Sequence, residues 1–380
     1  MPIYLDNNAT TRPGPDVVAA VMRSFETGWA NPSSTHGAGQ IVSRAVEAAR
    51  RQVASLGSVS PEQVIFTSGA TEANEAVLRH HAALGFDLVT SEAEHPAVTG
   101  FFARHAPERC HVVPLDEHGR WDLEQLEVIL QRLSRHALVA FSWANGETGV
   151  LQDAHRIAQV ATAHGVSCLV DATQAIGRIE VQGGLLQHAY LTFSAHKLHG
   201  PKGVGVLILP TDGESVCLAV GGGQEGGRRG GTVNVPGILG MGAACDVRAR
   251  NFGPHVQHLA ALRDRFERQI VGMLDGVRIN GLGAPRVPNT SNLSFHAVDG
   301  MALVARLEER GILCSQVSAC SSGLPEPSRT LLAMGLSSQE AFASVRFAVS
   351  VDNTAEEIDA ASQALVEEVC FIREMMGGLV

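Results

Sequence analysis

The residues most able to do covalent chemistry sit in the run Phe193-Ser194-Ala195-His196-Lys197-Leu198-His199-Gly200-Pro201-Lys202-Gly203. An apolar stretch ends there in small and hydroxyl residues, and a lysine follows at once. Burial and neighbouring cations lower the pKa of such an amine, and a neutral amine forms a Schiff base with a carbonyl compound. Taken alone, a lysine is more often a solvated surface charge. Lys202, in a Gly-Pro-Lys-Gly turn, suits the Schiff base less well. About 26 residues earlier, Val170-Asp171-Ala172-Thr173-Gln174 puts an acid at the end of another apolar run, where ligands of open α/β sheets collect. A carboxylate there can pair with a protonated ring nitrogen, and it can equally cap a helix. Earlier still, Val64-Ile65-Phe66-Thr67-Ser68-Gly69-Ala70-Thr71-Glu72 leads from a strand through a small-residue turn into a helix. Free backbone N–H groups and the positive helix end suit a phosphate, and a plain turn with Thr71 as N-cap has the same appearance. The turn is neither a dinucleotide GxGxxG nor a nucleotide P-loop.

Cysteine is the other reactive type present. The seven cysteines are odd in number and contain no CxxC pair, so neither a disulfide framework nor a metal site is expected. Cys168, Cys245 and Cys370 lie in apolar runs and read as buried side chains. Cys320, within Gln316-Val317-Ser318-Ala319-Cys320-Ser321-Ser322-Gly323, lies in a small polar stretch and reads as an exposed loop thiol. Cys314 reads as the end of a strand, with a resolving thiol as the alternative.

These groups need a scaffold. Short apolar runs alternate with helical periodicity, which predicts an α/β fold built from parallel βαβ units. Strands are expected at 64–67, 87–90, 137–141, 167–170, 189–193 and 205–209, with a helix over 71–84. A long helical region follows Gly221–Gly231, and strands at 291–295 and 345–349 belong to a smaller α+β unit. The expected division is an N-terminal segment 1–15 joining the small domain, a large domain 16–250, and a small C-terminal domain 251–380 carrying Cys320. With 380 residues, 45% of them hydrophobic and 18% charged, the chain is long and apolar enough for two cores. A net charge of -10 with no basic block excludes a nucleic-acid or membrane surface as the expected partner. The N-terminus lacks a basic stretch followed by an apolar run, and the chain is read as cytoplasmic.

Taken together, these strings resemble the class V aminotransferases, and within them the cysteine desulfurases of the nitrogen-fixation and iron-sulfur assembly type. Nearly the whole chain takes part. Tyr4-Leu5-Asp6-Asn7-Asn8-Ala9-Thr10-Thr11, Asn31-Pro32-Ser33-Ser34-Thr35-His36, Thr67 to Glu72 and Glu94-His95 match in order. So do Asp171 to Gln174, Ser194 to Lys197, Arg229-Gly230-Gly231-Thr232, Ser318-Ala319-Cys320 and Arg346-Phe347.

The resemblance implies the aspartate aminotransferase-like fold of pyridoxal 5'-phosphate (PLP) enzymes, with a mostly parallel sheet in the large domain. It implies that Lys197 carries PLP, His95 stacks on the ring, Asp171 faces the pyridine nitrogen and Gln174 the phenolic oxygen. Gly69, Ala70, Thr71, Ser194 and His196 hold the phosphate, with Thr232 supplied by the partner of a homodimer. Arg346 takes the substrate carboxylate, assisted by Asn31 and Asn145. For Arg346 the plain alternative is a structural salt bridge, and for His95 a helix cap. The implied reaction converts L-cysteine to alanine and leaves a persulfide on Cys320 for a sulfur-acceptor protein. Two departures stand out. Gly146 replaces the second of two asparagines usual before Glu-x-Gly, so a contact to cofactor and substrate is lost, bridged by water, or made by a shifted Asn145. The C-terminus stops soon after the final helix, so the usual scaffold protein is not expected as partner. The rival readings are a selenocysteine lyase or transaminase of the same fold, in which Cys320 is dispensable, and a non-catalytic sulfur carrier.

Overall fold

The computed structural model describes residues 2–133, 136–181, 188–211, 216–316 and 326–377. Cys320 therefore lies outside the described residues. Seven strands build the main sheet: β2 (Val64–Thr67), β3 (Asp87–Thr90), β4 (Cys110–Val112), β5 (Ala137–Ser142), β6 (Ser167–Asp171), β7 (Ala189–Ser194) and β8 (Gly205–Ile208). Their spatial order is β2-β8-β7-β6-β5-β3-β4. Strand β1 (Ile3–Tyr4) lies elsewhere, parallel to β11 (Ile312–Leu313). A four-stranded antiparallel sheet has the order β12-β13-β10-β9, made by β9 (Val277–Ile279), β10 (Thr290–Phe295), β12 (Ser315–Gln316) and β13 (Ser344–Ala348).

The central strands are apolar at nearly every position because both faces of the main sheet are covered. Val139, Phe141, Val170, Leu191 and Phe193 enter one core, and Leu138, Ala140, Leu169 and Tyr190 enter the other. Helices α1 (Pro15–Thr27) and α2 (Gly37–Gly57) lie on the first face with α5 (Leu123–Arg132), α6 (Ala154–Ala163) and α7 (Val235–Arg250). The second face is covered by α3 (Ala70–Ala83) and α4 (Pro96–His105). A separate core joins the four-stranded sheet to α8 (Phe252–Met273), α9 (Gly300–Glu309) and α12 (Ala355–Gly377). The short helices α10 (Arg329–Ala333) and α11 (Ser338–Phe342) bring Leu331, Met334 and Ala341 into a small cluster of their own.

Two expectations need correction. Strand β8 is antiparallel to both β2 and β7, so the sheet is not built from βαβ units throughout. Only residues 195–204 connect β7 to β8, too few for the crossover helix that a parallel neighbour requires. Cys370, read as buried, is exposed on α12. The buried face of that helix carries Ile358, Ala361, Leu365, Val369 and Ile372, and a residue one step from Val369 is turned about 100° away from it.

A buried ion pair secures the approach to the catalytic edge. Arg286 donates two bonds to Glu267 of α8 at 2.6 and 2.9 Å, with both side chains under a tenth exposed. The same segment hooks the turn after β5, through Leu151 N–H to Pro285 O and Val287 N–H to Gly149 O. Arg286→Met should destabilise the fold by about 3 kcal/mol, because Glu267 is left charged and unpaired in the interior. Urea unfolding measures the loss. A double variant that also replaces Glu267 by Met should regain most of it. Among the described residues no helix is long and apolar enough to cross a membrane, and no group of His, Cys, Asp and Glu could hold a metal ion.

Candidate active site

Strands β2, β3, β5, β6 and β7 all end at one edge of the main sheet, and the candidate residues collect there. A cavity of about 490 Å³ opens at that edge. On one wall, β2 passes through Gly69 into α3, whose first residue is Ala70. Gly69, not Thr71, takes the cap position, and it is Gly205 of β8 whose missing side chain lets the two backbones approach. The Gly205 backbone of β8 passes so close that a Cβ there would lie 2.6 Å from the Gly69 Cα. The Ser194 hydroxyl, at the end of β7, accepts from the Ala70 N–H at 2.8 Å. Ala70, Thr71, Ser194 and His196 line the cavity, while Gly69 stands behind them.

Asp171 ends β6. Its Oδ2 accepts from Asn74 of α3 at 2.8 Å and its Oδ1 from the Thr173 N–H at 2.9 Å. Asn74 is oriented in turn by the Thr192 hydroxyl at 2.6 Å. No helix begins at Asp171, so the capping alternative falls away. The side chain is a buried carboxylate held by donors at the cavity wall.

Lys197 follows β7 in a single 3₁₀ turn. Its Nζ donates to the backbone oxygens of Asn8 at 2.5 Å and Ala9 at 2.8 Å. Burial lowers its pKa to about 8, the Arg178 and Arg346 charges act in the same direction, and Asp6 and Asp171 act against them. His196 is pushed down to about 4 by burial and by Lys197 and Lys202, so it is neutral, and its Nδ1 meets Thr10 Oγ1 at 3.1 Å. His95 lines the cavity and also caps α4, its Nδ1 accepting from the Ala97 N–H at 3.0 Å. That bond leaves Nε2 to carry the proton of the neutral ring. Burial lowers the His95 pKa, with Asp171 opposing.

Arg346, on β13, makes the salt bridge named as its plain alternative and also lines the cavity. Nη2 pairs with Asp6 at 2.6 Å and Nη1 donates to Gly146 O at 3.1 Å, while the guanidinium faces the cavity. Its Nε is buried and has no partner among the described residues. Gln174 also lines the cavity, its Nε2 donating to Asn8 O and its Oε1 accepting from Arg178. Asn145 is at the wall but already engaged: Oδ1 accepts from the Glu147 and Thr148 N–H groups and Nδ2 donates to Ala93 O. It has not shifted to replace the side chain missing at Gly146, where an added Cβ would lie 3.6 Å from Gln174 in ordinary contact.

Two expected residues are not brought to this cavity. Asn31 is exposed and its Oδ1 accepts from the Ser33 N–H, and Thr232 is exposed and lines no part of the wall. Several residues at the site escaped the sequence reading. Glu94 is buried and Glu147 half-buried, and desolvation raises both carboxyls to about 7. Glu147 accepts a short bond from Ser328, the cap of α10. Arg178, four residues past Gln174, binds Asn8, Gln174 and the Lys197 carbonyl. Asn74 was discoverable, since it lies one helical turn after Ala70 on the same face.

The family model described as Aminotransferase class-V matches residues 3–361. A cysteine desulfurase of Nostoc sp. is 37% identical over 98% of this chain and 94% of its own. One of Klebsiella pneumoniae is 39% identical over 94% and 90%. Among solved structures, a NifS-like protein superposes with a TM-score of 0.89 at 31% identity, covering 98% of this chain and all of its own. The NifS-like protein from Rickettsia africae gives 0.88 at 29% identity, covering 97% of this chain and 99% of its own. With a lysine, an acid and a helix N-terminus converging at one sheet edge, and relatives matching along nearly its full length, the chain belongs to the class V aminotransferase family, among its cysteine desulfurases.

Proposed function

We propose that the chain is a PLP-dependent cysteine desulfurase that converts L-cysteine to L-alanine and carries the sulfur as a persulfide on Cys320. The observation that carries the reading is the shared cavity of Lys197, with its amine lowered to about 8, and the donor-held carboxylate of Asp171. The residues present fit the cofactor. The cavity volume lies within the roughly 300–1,000 Å³ usual for small-molecule sites. Thr173 and Arg346 line the cavity, and among the described residues Thr173 Oγ1 and Arg346 Nε have no hydrogen-bond partner. The start of α3 with Ser194 and His196 suits a phosphate, Asp171 a protonated pyridine nitrogen, and His95 and Gln174 the ring and its oxygen. Bound PLP supplies an electron sink for the substrate α-carbon.

The chain's own groups do the rest. Arg346 orients the substrate carboxylate, a task suited to a forked guanidinium. The Lys197 amine takes the α-proton and returns it, and His95 moves a proton through Nε2. The Cys320 thiolate attacks the substrate sulfur. A sulfur–sulfur bond forms as the carbon–sulfur bond breaks, and the released electron pair is capped by a proton to give the methyl group of alanine.

The same reading makes the chain a cytoplasmic homodimer divided near residue 250, with exposed Thr232 completing the phosphate site of the other copy and Asn31 joining on assembly. Its partners are L-cysteine and a sulfur-acceptor protein serving sulfur mobilisation such as iron-sulfur cluster assembly, with neither nucleic acid nor membrane. Purified protein should show a visible cofactor band that changes on adding L-cysteine, and with a reducing thiol it should form alanine and sulfide in equal amounts. Absence of the band, or cysteine consumption without alanine, overturns the proposal.

A further inference from the structure

Arg178 is buried to about 5% exposure, and its bonds go to neutral oxygens only: Asn8 Oδ1 at 3.1 Å, Gln174 O at 3.2 Å, Gln174 Oε1, and Lys197 O at 3.2 Å. Among the described residues no carboxylate pairs with it, and the charges it feels most, Arg248 and Arg346, are both positive. An interior cation with no counter-ion is costly, so a chain that keeps one gains something by it. We propose that Arg178 is a positioning residue for Lys197: it binds the N-terminal segment, Gln174 and the Lys197 carbonyl into one unit, and keeps an uncompensated positive charge beside the lysine nitrogen.

The inference rests on the assignment of Lys197 as the cofactor-bearing lysine. Charges reach Lys197 from four directions: Arg178 beyond β6, Arg346 on β13, Asp6 in the N-terminal segment and Asp171 at the end of β6. Asp6 pairs with Arg346, and Asp171, held by the neutral Asn74, opposes the cations at Lys197, while Arg178 has no ion-pair partner of its own among the described residues. Such a charge disfavours a proton on the neighbouring nitrogen. The fork also explains how Asn8 is held with its backbone oxygen 2.5 Å from Lys197 Nζ.

The test is a pH titration of the visible band of the holoenzyme, which reports protonation at the Lys197 nitrogen. Arg178→Gln should raise the midpoint by about one pH unit, and Arg178→Lys, which keeps the charge, should stay within a few tenths. An unchanged midpoint in Arg178→Gln, or equal shifts in both variants, overturns the inference. If Arg178→Gln fails to fold, Asn8→Asp takes its place. It sets a carboxylate where the amide oxygen now accepts from Arg178, and a midpoint that does not rise again overturns the proposal. A wild-type band that does not titrate and does not depend on Lys197 instead counts against the assignment of Lys197 itself.

Discussion

Lys197→Ala should lower turnover of L-cysteine by roughly 10⁴-fold, the upper range for a group that transfers protons in the rate-limiting barrier. No neighbour replaces it. Lys202 is exposed in the turn beyond and absent from the cavity, and His196 is held neutral with its Nδ1 on Thr10. His95 is fixed as a cap with only Nε2 available. With its pKa at about 8, the Lys197 amine is neutral in roughly a tenth of molecules at pH 7, against well under a thousandth for an ordinary lysine. Steady-state kinetics and the absorption spectrum check the prediction together. A variant retaining more than a hundredth of wild-type turnover, with the native band intact, would mean another residue carries the chemistry.

The second large effect is expected at Cys320. Cys320→Ala should lower alanine formation by roughly 10³-fold or more, while the visible band and its first change on adding L-cysteine survive. The reasoning is by comparison with the other six thiols. Cys168 and Cys245 are buried, and burial raises their pKa values far above the neutral range, that of Cys168 to about 12. Cys314, directly after β11, is raised to about 12 as well, which disfavours a thiolate and with it a resolving role. Cys110 is raised by burial, and none of the six lines the cavity. Single-turnover alanine assays in wild type and variant provide the measurement. Alanine formation at the wild-type rate in Cys320→Ala would assign the chain to the lyase or transaminase chemistry of the same fold.

Much of this was legible because the sheet is buried on both faces. Strands such as β5 and β8 announced themselves as nearly continuous apolar runs, and Asp171 and Lys197 stand where such runs end, although Arg346 sits inside its strand. The reversal of β8 was hidden because direction depends on the length of the β7–β8 connection, which periodicity does not record. Cys370 was misread because apolar neighbours in sequence are not neighbours around a helix. The electrostatics of the site were also hidden. Glu147 and Arg178 have nothing in their local sequence to mark them as withdrawn from solvent, since their partners Ser328 and Asn8 are 181 and 170 residues away, and Glu94 is met by the Ser142 N–H 48 residues on. Asn31 and Thr232 had clear sequence context and still lie outside the cavity of a single chain.

The pairing of β1 with β11 has a consequence for how the protein is made. The backbone oxygens that hold Lys197 belong to Asn8 and Ala9, in a segment that bonds to Leu313 and Ala348. Ala348 is translated 341 residues after Asn7, so the segment around Asn7 waits for its partners long after it has itself been made. The main sheet can form early around its own helices, but its catalytic edge stays open until β11 and β13 have emerged. Maturation therefore has a built-in order, with an ordered lysine, and the capacity to retain a cofactor, arriving only after β13 has been made.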